Sequence, residues 1–395
     1  MADKSRRIGS TVRDVVNTTV LIIWFMFYAL TFMVPKFYGL TEDYVGVFVF
    51  FFTGVLILGN VNLIEAFKTK DIELFVLIGI GVVTLLNLVI VRSGFGAFFV
   101  AADFAMIWYL SGKITLRKWQ LYMMLFLYGG LMLYWFFDAY GWMFAEYGTY
   151  AMNTNTAATF TVYSLLVLFL LAELLIGKCK AAGLLMVIFL IKGIQLTLYH
   201  RGRGSFIMLI IFVIFRFVIP AKWWKNKAFY RAVCIFATFG SLLFVGIYVA
   251  VGMMGVNFRI PFFYKNMFSG REAIWLEFWN LFRAKPLTGI GTNVTITSFF
   301  EFNVHNAMYN ILVIHGILVF AATLFLVFRR LNIIHKTAYD KGVSFAAVSA
   351  LFAVFIESFF DVDLIWTDYS LNLLMLLIAA HMGSEGIGDN DISKQ

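Results

Sequence analysis

Apolar runs close to twenty residues long recur along almost the whole of this chain. A helix of that length is what crosses the ~30 Å hydrocarbon core of a bilayer, and no other feature narrows the fold so far. Twelve runs can be marked, at approximately 15–34, 45–63, 74–91, 97–111, 120–137, 162–176, 183–199, 205–219, 232–254, 307–328, 343–360 and 369–382. Composition agrees. Of 395 residues, 62% are hydrophobic and 13% charged, where a soluble domain carries about 25% charged residues. A soluble enzyme, a nucleic-acid binder and a single-anchor protein are excluded. The expected fold is an all-α polytopic membrane protein of about 12 transmembrane helices, forming one domain over residues 1–395.

Loop charge orients the runs. With the N-terminus inside, the loops alternate so that 21 basic residues face inward and 9 outward, with Lys192 inside a span. The positive-inside rule then predicts N-in, C-in. The net charge of +9 is therefore a matter of topology, and no nucleic-acid partner is expected. Cys179 and Cys234 give no disulfide framework. The basic start leads into a run long enough to span, which reads as a first helix rather than a cleaved signal peptide. No internal repeat is visible.

The exceptions to the charge rule carry the information. Seven of the nine outward basic residues fall in two places, the turn Tyr199–Gly204 and the loop 255–305. Arg201 and Arg203 stand in the turn, between two spans, where they reach the headgroup plane and little else. A loop of this length also escapes the charge rule, so for the loop a plain polar surface is the competing reading. Within it, Ile274, Trp275, Phe278, Leu281 and Phe282 follow helical spacing. That stripe predicts an amphipathic helix lying in the membrane interface, with tryptophans at headgroup level. Gly289 and Gly291 then form a glycine turn whose amides could approach a phosphate, or an ordinary turn.

The loop closes on His305 and Asn306 at the start of the tenth run. A helix N-terminus and nearby arginines disfavour imidazolium, and a neutral imidazole is what a general base needs. A surface histidine capping a span fits the spacing equally well.

Three pieces in this order resemble the O-antigen ligase and polymerase family of bacterial polysaccharide assembly. They are Arg203-Gly204-Ser205 opening a span; Ser269-Gly270-Arg271 followed by Trp275, Pro286, Gly289 and Gly291; and His305-Asn306 leading to His315-Gly316-Ile317. The resemblance covers about residues 196–330. The family pattern has a hydroxyl residue before the first arginine, where this chain has Gly202; Arg203 is the preferred counterpart, with Arg201 as a second contact.

The resemblance implies a GT-C-like helical bundle with a large outer loop, sitting in the bacterial inner membrane with its site on the outer face. It implies transfer of glycan from a polyprenyl-diphosphate-linked donor to a lipid-linked acceptor, with chain-length regulators and flippases as protein partners. Arg203, Arg271 and Arg201 would bind the diphosphate, since arginine offers bidentate, permanently charged recognition of phosphate. His305 would take the proton of the attacking hydroxyl. Gly289, Gly291, Asn306, Trp275, Asp361 and Asp363 would be secondary contacts. Neither a cofactor nor a metal is called for.

Other readings stay open. Glu357, Asp361, Asp363 and Asp368 crowd the last outer loop, and carboxylates there could hold a divalent ion, bind acceptor hydroxyls or pair with the arginines. A lipid-linked oligosaccharide flippase would also have many spans, but would place charge along a central path. A ligase would share the polymerase's site and differ in its lipid A core acceptor. The stretch 138–161, with Tyr140, Trp142, Tyr147, Tyr150, Asn153 and Asn155, suits sugar contact or interfacial anchoring.

Overall fold

A computed structural model of the chain describes residues 2–138, 154–176, 179–199, 202–255, 270–298, 303–341 and 345–382. The described residues form helices joined by turns and loops, with no strand among them. In chain order the helices are α1 Ala2–Met33, α2 Pro35–Thr41, α3 Val45–Asn60, α4 Leu63–Lys68, α5 Ile72–Ile90 and α6 Phe95–Ser111. They continue with α7 Lys118–Asp138, α8 Thr154–Leu175, α9 Lys180–Tyr199, α10 Arg203–Val213 and α11 Ala221–Lys225. The last five are α12 Lys227–Met254, α13 Arg271–Phe282, α14 Ala307–Lys341, α15 Phe345–Glu357 and α16 Ser370–Met382.

Every one of the twelve apolar runs falls mainly on a helix. Among the described residues, six helices are long and apolar enough to cross a membrane: Thr11–Met33, Ile72–Ile90, Lys118–Phe137, Asn155–Leu175, Lys227–Met254 and Ala307–Thr337. Val45–Asn60, Phe95–Ser111, Gly183–Leu198 and Ala346–Glu357 are apolar but shorter. The molecule is thus a helical, polytopic membrane protein. Local sequence explains several ends: Asp71 caps α5 by accepting the Glu73 N–H at 3.1 Å, and Asn226 caps α12 through the Ala228 and Phe229 N–H groups at 2.9 and 3.1 Å.

Helix α8 runs through the middle, packed on α7, α9, α10, α15 and α16. One chain of polar side chains inside the bundle satisfies itself, as a low-dielectric interior favours. Tyr128 donates to Asn372 at 2.5 Å, Asn372 donates to Tyr28 at 2.6 Å, and Tyr28 meets Ser164 at 2.7 Å. Several charged residues away from the outer loop are also closed into pairs, whereas the buried Asp103 has no hydrogen-bond partner on either carboxyl oxygen. Glu73 takes Arg330 and Arg329, Lys113 reaches Asp71 at 2.7 Å, Arg117 reaches Asp14 at 3.0 Å, and Arg216 reaches Glu173 at 2.6 Å.

Two expectations about the loop 255–305 are corrected. Helix α13 forms, but its apolar stripe faces protein rather than lipid. Ile274, Trp275, Phe278 and Phe282 pack with Val245 and Val249 of α12 and Tyr309 and Val313 of α14. Trp275 is 0% exposed, its indole N–H donates to the Val304 carbonyl at 2.6 Å, and Trp279 alone of the two tryptophans is exposed. A stripe of this kind is indifferent to whether lipid or protein covers it, and here two neighbouring helices do.

The glycine turn is corrected as well. Helix α14 breaks at Gly316 (φ 83°, ψ 173°), which strands carbonyls of the preceding turn. The turn supplies their donors: Ile290 and Gly291 donate to the Val313 and Ile314 carbonyls at 2.9 and 3.1 Å, and Ile317 donates back to Pro286 at 2.9 Å. The Gly289 N–H is spent on Lys285 at 2.9 Å. Both glycine amides are therefore committed to backbone, with none left for a phosphate. Broken helix and turn lie so close that a Cβ on Gly316 would collide with the Leu287 carbonyl, in a conformation essentially restricted to glycine. Gly316→Ala is expected to destabilise the protein by at least ~2–3 kcal/mol, read as a lowered melting temperature in detergent; a melting temperature equal to the parent's would contradict this account of the break.

Candidate functional site

The candidate site is assembled from helix ends that meet at one edge of the bundle. Arg203 is the first residue of α10 and Arg271 the first of α13. His305 stands two residues before α14, Glu357 ends α15, and Asp361 and Asp363 follow in the turn towards α16. Two adjoining cavities collect these residues. One, of about 190 Å³, is lined by Arg203, Arg271, Tyr248, Glu357 and Asp361, with Thr159, Ser205 and neighbours. The other, of about 120 Å³, is lined by His305, Asn303, Asp361, Asp363, Asp368 and Trp366, among others. Asn155, Thr159 and Asp361 line both.

The first cavity is built against its own charge. A cation at a helix N-terminus opposes the dipole, and here two helices each begin with an arginine. Among the described residues, neither Arg203 nor Arg271 is closed into an ion pair, in contrast to the arginines paired elsewhere in the bundle. Burial pulls the Arg271 guanidinium below its ordinary value, and although Asp361 and Glu357 oppose this, the like charge of Arg203 adds to it. Two helix N-termini and two such guanidinium groups around one cavity make a site for an anion with several oxygens. The tight spacing here explains Gly202: a Cβ at that position would run into Ala158. On the other side of Arg203, a Cβ on Gly204 would come to 2.6 Å from Glu357 Oε1.

His305 holds a left-handed backbone (φ 50°), fixed by its N–H donating to the Asn303 side chain at 2.8 Å. Its Nδ1 lies 3.5 Å from Asp361 Oδ1, within ion-pair range. Burial raises the Asp361 carboxyl, but the adjacent His305, Arg271 and the Val362 amide outweigh it and hold the group below its usual range. An ionised carboxylate at Nδ1 orients an imidazole and stabilises its protonated form, which leaves Nε2 to exchange a proton with a substrate.

The second carboxyl of the Asp361-Val362-Asp363 run has a different environment. Asp363 accepts from the Thr159 hydroxyl at 2.8 Å, which in turn meets Ser205 at 2.8 Å. Burial, then the charge of Asp361, push the Asp363 carboxyl up to about 8, with hydrogen bonds from Thr159 and Glu357 opposing. The two aspartates thus face different partners. Among the described residues, no group of three or more His, Cys, Asp or Glu is arranged to hold a metal ion.

The structure therefore brings Arg203, Arg271, His305, Asp361 and Asp363 together, and it places four further candidates elsewhere. Gly289 and Gly291 hold the broken helix, and Trp275 is a buried strut. Asn306 is 0% exposed and caps α14: its Oδ1 accepts from Ser241 and the Tyr309 N–H at 2.8 and 2.9 Å, and its Nδ2 donates to the Phe359 carbonyl at 3.1 Å. It supports the site by tying α12, α14 and the Asp361 turn beside His305. Arg201 and Ser269 lie outside the described residues, as do Tyr140, Trp142, Tyr147, Tyr150 and Asn153. The sequence did not single out Tyr248, Thr159 or Tyr38, which line the cavities; each is a common residue on or beside an apolar run, with no local signal to mark it. No protein-family model matches this chain, and no curated protein matches it.

Proposed function

We propose that this chain is a membrane-embedded glycosyltransferase of bacterial polysaccharide assembly, a polymerase of the O-antigen ligase and polymerase kind. One observation carries the reading: Arg203, Arg271 and His305, from three separate stretches of sequence, line adjoining cavities, and both arginines stand without an ion-pair partner among the described residues. A polyprenyl-diphosphate-linked glycan places its diphosphate between the arginines. The hydroxyl oxygen of a lipid-linked acceptor attacks C1 of the donor sugar, and its proton passes to His305. The bond from C1 to the phosphate oxygen breaks, and polyprenyl diphosphate leaves with the electron pair. Charge that grows on the leaving group meets the two guanidinium groups, which is where they lower the barrier.

The twelve-span, N-in/C-in arrangement belongs to the same proposal, as does a site on the outer face of the bacterial inner membrane. It rests on the 21-to-9 division of basic residues. In a Cys179→Ser background, a membrane-impermeant thiol reagent applied from outside is expected to label Lys285→Cys and to spare Lys225→Cys. The reverse pattern would put the site on the wrong face for an outer-leaflet donor.

The direct test of activity is purified protein in detergent, supplied with lipid-linked repeat units. Lengthened lipid-linked products are expected. Transfer only to a lipid A core would make the enzyme a ligase. Absence of any transfer, with transbilayer movement of the donor in vesicles, would overturn the reading in favour of a flippase.

A further inference from the structure

A chain of three hydrogen-bonding groups joins the two cavities through their shared wall. The Thr159 hydroxyl of α8 donates to Asp363 Oδ2 at 2.8 Å, and its oxygen meets the Ser205 hydroxyl of α10, also at 2.8 Å. Asp363 lines the smaller cavity, Ser205 the larger, and Thr159 both. Ser205 and Thr159 are buried, so the chain runs through protein.

A hydroxyl carries one proton, and that fixes the direction of the chain. While Asp363 is ionised it only accepts, so the Thr159 proton is spent on it and Ser205 must donate to Thr159. Ser205 then shows the larger cavity nothing but lone pairs, which repel an anion. One proton on Asp363 lets the chain reverse. The carboxyl donates to Thr159, Thr159 donates to Ser205, and the Ser205 proton turns towards the cavity. Ser205 stands two residues after Arg203 in the first turn of α10, so an anion held by Arg203 and Arg271 lies within its reach.

Taking the glycosyltransferase reading as its premise, we propose that Ser205 is a further ligand of the donor diphosphate, and that Thr159 and Asp363 are positioning residues that let it donate only while Asp363 holds a proton. Diphosphate binding is thereby coupled to uptake of a proton in the cavity that holds His305.

The surroundings suit a single switching group. Burial, then the charge of Asp361, push Asp363 up to about 8, so the tight-binding state is present below that value and is lost as pH rises through it. Asp361 is held below its usual range, and burial lifts Asp368 only to about 6; both are already ionised where Asp363 titrates. Tyr38, Tyr163 and Tyr369 also face this cluster, and tyrosine ordinarily ionises near ~10. Arg203 and Arg271 face it from α10 and α13 as fixed charges. Glu357 and His305 remain as competing titrations, and the test separates them.

The test is calorimetric binding of geranyl diphosphate to the full chain in detergent, between about pH 7 and about pH 9. The last phosphate proton of such a ligand leaves near ~6, below this range. Affinity of the parent is expected to fall about fivefold or more across the range, as the bond from Ser205 to a charged group is lost. Buffers of different ionisation enthalpy should show up to about half a proton taken up per ligand near pH ~8. Ser205→Ala should bind weakly throughout, without the step. Thr159→Val leaves Ser205 no acceptor behind it and should lose both the step and the uptake; Thr159→Ser, which keeps the hydroxyl, should restore both. Asp363→Asn supplies an amide donor at every pH and should hold the parent's low-pH affinity across the range. A merely structural chain would lower melting temperatures in these variants and leave the step in place. A step that persists in Thr159→Val belongs to Glu357 or His305 and overturns the proposal, as does Ser205→Ala binding as tightly as the parent. Failure of the underlying reading looks different: the parent would bind no diphosphate at any pH and lengthen no lipid-linked product, and the role of Ser205 would fall with it.

Discussion

Replacing His305 by alanine is expected to reduce kcat by about 10²–10⁴-fold, the usual worth of a positioned general base. Donor affinity should barely change, because the diphosphate is held by Arg203 and Arg271 from the neighbouring cavity. His305→Gln keeps hydrogen-bonding capacity without accepting the proton, and should be nearly as inactive as alanine. Asp361→Asn leaves the imidazole in place but removes the charge that stabilises its protonated form, so a smaller loss in kcat with unchanged donor affinity follows. The left-handed backbone at His305 fits a residue whose position matters more than its local conformational preference. If His305→Gln keeps most activity, or alanine weakens donor binding as much as it slows turnover, His305 is a phosphate or sugar ligand. The base would then have to be found among Glu357, Asp361 and Asp363.

The helices were legible because each apolar run carries its own signal, a length that only a helix in or near a bilayer uses. The arginines were legible because they broke a charge rule, and His305 because it stands at a helix start beside them. What lay beyond reach was partnership. Asp361 is far from His305 in sequence, and the run Asp361-Val362-Asp363 reads equally well as a metal motif until the turn is seen to aim its two carboxyls at different neighbours. Gly289 and Gly291 were recognisable as a turn, but the carbonyls they serve appear only once Gly316 breaks α14. Trp275 and its stripe were recognisable as an amphipathic face; which surface covers such a face is decided by α12 and α14. Asn306 shows the same limit: a polar residue beside a candidate base is as easily its support as a ligand.

Arg271→Ala is expected to lower kcat/KM by about 10²–10³-fold, the scale measured when one group that meets developing negative charge is removed. Arg203→Ala should act in the same direction. Lysine should rescue only partly at either position, since a point charge cannot reproduce a planar fork on two phosphate oxygens. The two arginines should differ in their response to salt. Arg203 is exposed and Arg271 half-buried, so the part of binding carried by Arg203 is the part that rising ionic strength screens. Stability provides the discriminating readout. Without substrate, Arg271 is held in a desolvated position where burial outweighs the attraction of Asp361 and Glu357 and the like charge of Arg203 adds to the cost, a placement that the fold tolerates rather than uses. Arg271→Ala should therefore melt no lower than the parent while losing most activity, the pattern of a residue kept for its substrate. A melting temperature that falls together with activity would make Arg271 a structural group, and lysine variants indistinguishable from the parent would make both arginines general electrostatics rather than diphosphate ligands.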